Sequence, residues 1–423
     1  MRRAGWMTVL LAGLAVALAG VVAAVGRVPP PPTAPGPPTG AGAVKTFTQL
    51  LDKAKVRATT RAQWATIARQ NAVVVLNSWD FRLIPVLKRA NPAVQVWVYK
   101  NLSGVRSDDC TTGDGDCGAC PPGVTDSHFL ASGIGYCWLK RHHPDWLLRA
   151  AGSGQPFQFR GYPRIWETDY GNRAYQRQWT ENVLADVRGH RWDGVELDNA
   201  LSTADAYGVA ARYPTDATVQ AATYSALREA GHALRQAGVG LVANVGYATM
   251  FPGLWQRWLA PVDGLEQEFY LSSSTRPEAF GSGWSEYENE VSSCGAQHKV
   301  CWFHSGGYTP AVTPQTRTYA LASFLLATDG RQLLSLGDFT LMPPGPRWGL
   351  DSASTMNEVG SAWRRYLAGG VVVVNPTRSD SVAELGGNYL DGTGRTVSAV
   401  TLRPGSGAVL RAAAGPGASA GAP

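Results

Sequence analysis

Short apolar runs alternate with longer amphipathic stretches through the middle of the chain, the pattern of repeated βα units rather than of a sandwich. Eight runs predict strands, at 72–77, 94–99, 164–168, 193–198, 240–244, 264–269, 299–304 and 332–337. Apolar positions at helical spacing predict helices over 81–90, 173–188, 215–237 and 313–328, with Gly238 as a stop signal past the third. Eight strands, most of them followed by a helix, predict an α/β fold of the TIM type, a (β/α)8 barrel that closes a parallel sheet without leaving an edge. The alternative is an open doubly wound sheet. Against it, Asn77-Ser78-Trp79-Asp80 follows the first predicted strand where a Gly-rich dinucleotide fingerprint would stand.

The pattern breaks at both ends. Arg2 and Arg3 precede an uncharged run at 8–25, so 1–28 reads as an export signal or an uncleaved membrane anchor. Seven prolines among the fifteen residues 29–43 predict an extended linker. The barrel is expected over 44–368, with 101–162 as a loop insertion between the second and third predicted strands. Val runs separated by Gly, Asn and Asp predict a small antiparallel appendage over 369–411, with strands at 370–375 and 397–402 and near Val409, and a turn through Gly386-Gly387-Asn388. The Ala- and Gly-rich tail at 412–423 carries no chemistry.

Composition narrows the function. Hydrophobic residues at 44%, charged residues at 17%, 15 Trp and 15 Tyr exclude a disordered, fibrous or coiled-coil protein. The formal charge of +6 falls to +3 once Arg2, Arg3 and Arg27 are set aside with the leader, too little for a nucleic-acid footprint. Six cysteines in an exported chain are read as disulfides: Cys294 with Cys301, and Cys110, Cys117, Cys120 and Cys137 among themselves in a connectivity left open. No metal site and no cofactor is expected. The molecule is expected to be a monomer, secreted or tethered to the outer face of the membrane, touching lipid only through its N-terminal segment.

Two predicted strands share one pattern, Asp193-Gly194-Val195-Glu196-Leu197-Asp198 and Asp263-Gly264-Leu265-Glu266-Gln267-Glu268. Side chains alternate along a strand, so Glu196 shares a face with Asp198 and Glu266 with Glu268, all pointing into the barrel. Asp198 and Glu268 come last and highest, at the C-terminal face where barrel chemistry occurs. Burying four carboxylates costs several kcal/mol each unless they are paired, hydrated or used. Acids so placed suit glycosidic-bond cleavage, in which one carboxylic acid protonates the leaving oxygen while a carboxylate attacks the sugar or activates water. Trp79, Tyr99, Lys100, Asp169, Asn199, Asn244, Tyr270, Trp302, His304 and Asp338 stand at or just past predicted strand ends, where rings stack on sugar faces and polar groups bind hydroxyls. No Gly-x-Ser-x-Gly elbow, phosphate loop or His-Glu-x-x-His site occurs.

The segment 193–199 (Asp-Gly-Val-Glu-Leu-Asp-Asn), with His143-Pro144-Asp145-Trp146-Leu147-Leu148, Tyr99-Lys100-Asn101-Leu102 and Leu402-Arg403-Pro404-Gly405-Ser406-Gly407, resembles the bacterial hypothetical glycosyl hydrolase group, family fifteen, across roughly 73–410. More distantly the pattern is similar to endo-α-1,4-polygalactosaminidase-like barrels. The resemblance implies a reaction class, glycoside hydrolysis, and no substrate; a polysaccharide or oligosaccharide is the expected partner. It also implies a catalytic pair from the fourth and sixth strands, Asp198 with Glu268, or with Glu266 in its place. The rival expectation is a cell-surface barrel that binds glycan without cleaving it.

Overall fold

A computed structural model describes residues 44–110, 117–118, 120–307, 312–337, 350 and 354–413. Eight parallel strands close into a barrel: β1 Lys45–Leu50, β2 Val73–Leu76, β3 Gln95–Asn101, β4 Gly194–Asp198, β5 Gly240–Asn244, β6 Gly264–Gln267, β7 Trp302–Ser305 and β8 Leu333–Leu336. Each pairs with its chain neighbours, and β1 closes the ring against β8, with Lys45 opposite Leu333.

Two expectations about strands are corrected. β1, Lys-Thr-Phe-Thr-Gln-Leu, carries too few apolar residues to announce itself, yet it lies between β2 and β8 and sends Phe47 onto the ring of Trp302. The run at 164–168 is not a barrel strand. Ile165–Glu167 pairs antiparallel with Gly104–Arg106 in a two-stranded ribbon of the insertion. One strand gained ahead of it and one lost leave Asp198 on the fourth strand as expected.

The repeated Asp-Gly pattern has a structural foot. The backbone N–H of Val96 donates to Asp193 at 2.7 Å, and that of Leu241 donates to Asp263 at 2.9 Å, so each aspartate ties its strand to the preceding one. Gly194 makes room for Trp97: a Cβ there would stand 2.5 Å from the indole. Phe47, Val73, Val75, Trp97, Val242, Trp302 and Leu333 fill the barrel interior as a packed plug. Outside the strands, helices such as Arg173–His190, Asp216–Gln236, Ser282–Ala296 and Pro314–Ala327 cover the larger apolar core. Thr215 and Thr313 cap two of them by accepting from Thr218 and Thr316 backbone N–H groups.

The cysteines form three disulfides, Cys110–Cys117, Cys120–Cys137 and Cys294–Cys301. The antiparallel appendage has six strands: β9 Asn357–Val359, β10 Ala362–Leu367, β11 Gly370–Asn375, β12 Ser381–Leu390, β13 Thr396–Leu402 and β14 Ser406–Ala412, ordered β9-β10-β11-β14-β12-β13. It therefore opens upstream of residue 369. Gly386-Gly387-Asn388 makes no turn; it lies inside β12, where the register with β13 shifts between Glu384 and Tyr389 and Gly386 takes φ +72°. Arg365 Nη1 donates to the Leu325 and Thr328 carbonyls, tying β10 to the end of helix Pro314–Ala327. No helix among the described residues is long and apolar enough to cross a membrane. The leader and linker, and most of the tail, lie outside the described residues.

Candidate active site

Asp198 ends β4, and the next residue turns sharply: Asn199 has φ +59°, a left-handed conformation that asparagine tolerates better than most residues. That turn lets Asn199 grip Asp198 twice, its backbone N–H donating to Oδ1 at 2.7 Å and its Nδ2 to Oδ2 at 2.9 Å. Tyr99, which stands opposite Glu196 on β3, donates its hydroxyl to Oδ2 at 2.6 Å. Tyr207 donates to Oδ1 of Asn199 at 2.6 Å and fixes the amide that holds the acid. Burial raises the Asp198 carboxyl above the ordinary aspartate range, while Tyr99, Asn199 and Asn244 pull it back.

Asn244, last in β5, bridges the two acids at the mouth. Its Nδ2 lies 3.1 Å from Oδ1 of Asp198 and 3.0 Å from Oε2 of Glu268. Glu268 is the first residue past β6 rather than its last, and it is half-buried.

Glu196 and Glu266 lie deeper and are fully enclosed. Gln49 Nε2 donates to Oε1 of Glu266 at 2.8 Å. Burial first, then the neighbouring carboxylates, pushes both well above the usual range, which favours their neutral, protonated forms. No Lys or Arg among the described residues forms an ion pair with Asp198, Glu196 or Glu266.

Of the other expected lining residues, Tyr99, Asn199 and Asn244 come together with the acids. Six others are placed elsewhere, for identifiable reasons. Lys100 points the opposite way from Tyr99 and pairs with Asp186 at 2.6 Å under the helices. Tyr270 is buried behind the barrel, its hydroxyl donating to Glu288 at 2.7 Å. Trp302 is part of the interior plug, and His304, on the same face of β7, is buried against the Gly337 carbonyl. Asp169 follows the ribbon strand, not a barrel strand, and pairs with Arg212 at 3.1 Å. Trp79 lies under Lys53, whose Nζ is 4.9 Å from the ring centre, in a side cavity of about 440 Å³ lined also by Asp80, Asp109 and Phe129. Asp338 lies outside the described residues. Gln49 and Tyr207 join the site without having been expected: the first sits on a strand with no apolar run, the second in a loop with no periodicity.

No curated protein matches the chain. Among solved structures it is similar to the noncanonic maltogenic α-amylase AmyB from Thermotoga neapolitana, at 11% identity over 86% of this chain and 98% of that one, with a TM-score of 0.47. The glycoside hydrolase domain of PelA from Pseudomonas aeruginosa matches at 13% identity over 71% and 96%, TM-score 0.41. Ega3 from Aspergillus fumigatus, in complex with galactosamine, matches at 12% over 72% and 96%, TM-score 0.39. The model of hypothetical glycosyl hydrolase family 15 matches residues 88–341, more than half the chain and all of β3 to β8. The chain belongs to that glycosyl hydrolase family.

Proposed function

We propose that the protein is an exported or surface-tethered glycoside hydrolase that cleaves a polysaccharide with retention, Asp198 acting as nucleophile and Glu268 as general acid. The observation that carries this reading is the single Asn244 amide nitrogen shared by the two carboxylates. Two N–H bonds diverging from one planar nitrogen set their acceptors roughly 5 Å apart, near the ~5–5.5 Å of retaining pairs and short of the ~6.5–9.5 Å that seats a water between inverting ones. Asp198 receives donors from Tyr99, Asn199 and Asn244, all of which favour its anion and suit it to attack. In the first step a carboxylate oxygen of Asp198 bonds to the anomeric carbon as the glycosidic bond breaks and Glu268 gives its proton to the leaving oxygen. In the second, Glu268 takes a proton from water, and the water displaces Asp198. Three disulfides suit an oxidising compartment, in keeping with an export signal or anchor at 1–28.

Wild type, Asp198→Asn and Glu268→Gln are to be assayed on a panel of cell-wall and secreted glycans; only wild type should cleave, with the variants down by about 10²–10⁴ or more. Glu268→Ala should keep hydrolysing aryl glycosides with good leaving groups, which need little protonation, and Asp198→Ala should lose both kinds of substrate. The reverse pattern exchanges the roles, and undiminished cleavage by both variants removes the assignment.

A further inference from the structure

Six large apolar or aromatic side chains are exposed among the described residues, and Tyr162, Tyr247, Met250 and Phe269 lie on the insertion and on the loops that follow β5 and β6. Tyr162 and Tyr247 are each 56% exposed and Phe269 40%, so three rings face solvent. Contiguous exposed apolar residues mark binding sites, and Tyr162 is near enough to Tyr247, Glu268 and Asp198 to interact with them electrostatically. Their placement is tied to the acids. Phe269 directly follows Glu268, and Tyr247 comes three residues after the bridging Asn244. Tyr162 stands edge-on to Tyr207, ring centres 5.6 Å apart, and Tyr207 in turn holds Asn199. Phe159 stacks on Tyr207 with ring centres 4.1 Å apart, so the ring that Tyr162 leans on is itself held in place. Tyr247 also holds φ +61°, a costly conformation for a bulky residue that the fold retains while leaving its ring in water.

Resting on the function proposed above, we infer that Tyr162, Tyr247 and Phe269 form an aromatic rim that binds several consecutive sugars of one uncharged glycan chain, making the enzyme a reader of polymer rather than of a terminal residue. Neighbouring strands stand ~4.8 Å apart, so the loops that follow β3, β5 and β6 and carry these rings span roughly 14 Å, more than one pyranose occupies. Sugars present C–H faces to aromatic rings, and a ring already packed on one side, as Tyr162 is against Tyr207, loses little freedom on binding. The charge at the mouth selects the class. Asp198 has no basic partner among the described residues, so a uronate or sulfated chain would bring like charges together there, whereas neutral hydroxyls are ready donors to a carboxylate.

The test separates this from the catalytic assignment. In the full chain carrying Asp198→Asn, native gels containing galactomannan, soluble starch or polygalacturonate measure binding without turnover. At least one neutral polymer should retard the protein and polygalacturonate should not. Adding Tyr162→Ala, Tyr247→Ala and Phe269→Ala should weaken retardation by roughly tenfold or more, while Val382→Ala, an exposed residue on the appended sheet, should not. Circular dichroism checks that the triple variant keeps its fold. Equal retardation of the triple variant, retardation by polygalacturonate alone, or none in any gel would overturn the inference; none together with concentration-dependent dimerisation in sedimentation would give the rim to a second copy. Failure of the catalytic reading shows separately, as cleavage retained by Asp198→Asn.

Discussion

Tyr99 illustrates how one hydroxyl sets the working range of the site. It donates to Asp198 and lowers that carboxyl against the opposing effect of burial, and its own phenol is held protonated by burial and by Asp198 and Glu196. Removing the hydroxyl takes away a group that favours the Asp198 anion, so in Tyr99→Phe the nucleophile ionises at higher pH. The acid limb of the kcat/KM profile should move upward, with a larger loss at pH 5 than at pH 7. A limb that stays in place while activity falls equally at all pH values would leave Tyr99 a packing role only. Asn199 shows a different kind of residue, one whose backbone conformation supplies the chemistry: its left-handed turn brings both amide groups onto the carboxylate before it.

The strands show which parts of the molecule the sequence makes legible. Asp193-Gly194-Val195-Glu196-Leu197-Asp198 carries its whole role in its order: a foot that holds the neighbouring strand, a glycine beneath Trp97, a buried acid, and an acid at the mouth. Alternation alone places those acids on one face. β1 was not legible, because its inward positions are Phe47 and Gln49 among threonines, and only ring closure makes it a strand. Ile165–Glu167 has strand chemistry but finds its partner inside the insertion, a choice that no local pattern encodes. Lys100 stands at a strand end as a lining residue would, but its neighbour Tyr99 faces the barrel; alternation turns Lys100 to the helices, where it neutralises Asp186 beside Ser78, His190 and Trp192. Lys100→Met leaves a largely buried aspartate without its cation and should cost about 3 kcal/mol or more in urea unfolding, with Lys100→Met/Asp186→Leu regaining much of that. A double variant no better than the single would show that Lys100 acts through its packing.

Across the whole molecule, acids buried without cations make folding depend on pH in the direction opposite to a protein built on salt bridges. Burial raises Glu167 to about 8 and Glu290 to about 8, and it shifts Glu288 and the two interior acids in the same direction. Glu266 lies within β6, the strand that leads into Glu268, and two more of these acids pack beside it, Glu290 accepting from Gln267 at 3.0 Å and Glu288 from Tyr270 at 2.7 Å. Between the ordinary glutamate value, 4.5, and about 8 the native chain keeps a proton on Glu167 that the unfolded chain has released, so raising the pH favours unfolding. Each such group contributes at most ~1.4 kcal/mol per pH unit within that window. The melting temperature should therefore fall steadily from pH 5 to pH 8, measured by scanning fluorimetry in buffers of equal ionic strength. Glu167→Gln, neutral at every pH, should match wild type near pH 5 and exceed it at pH 8. A melting temperature that rises over this interval would mean that these carboxyls ionise in the folded protein. If it falls as expected, loss of activity above pH 8 should track loss of structure around β6 before it tracks titration of the catalytic pair, because the strand that presents Glu268 is the one whose packing depends on neutral acids.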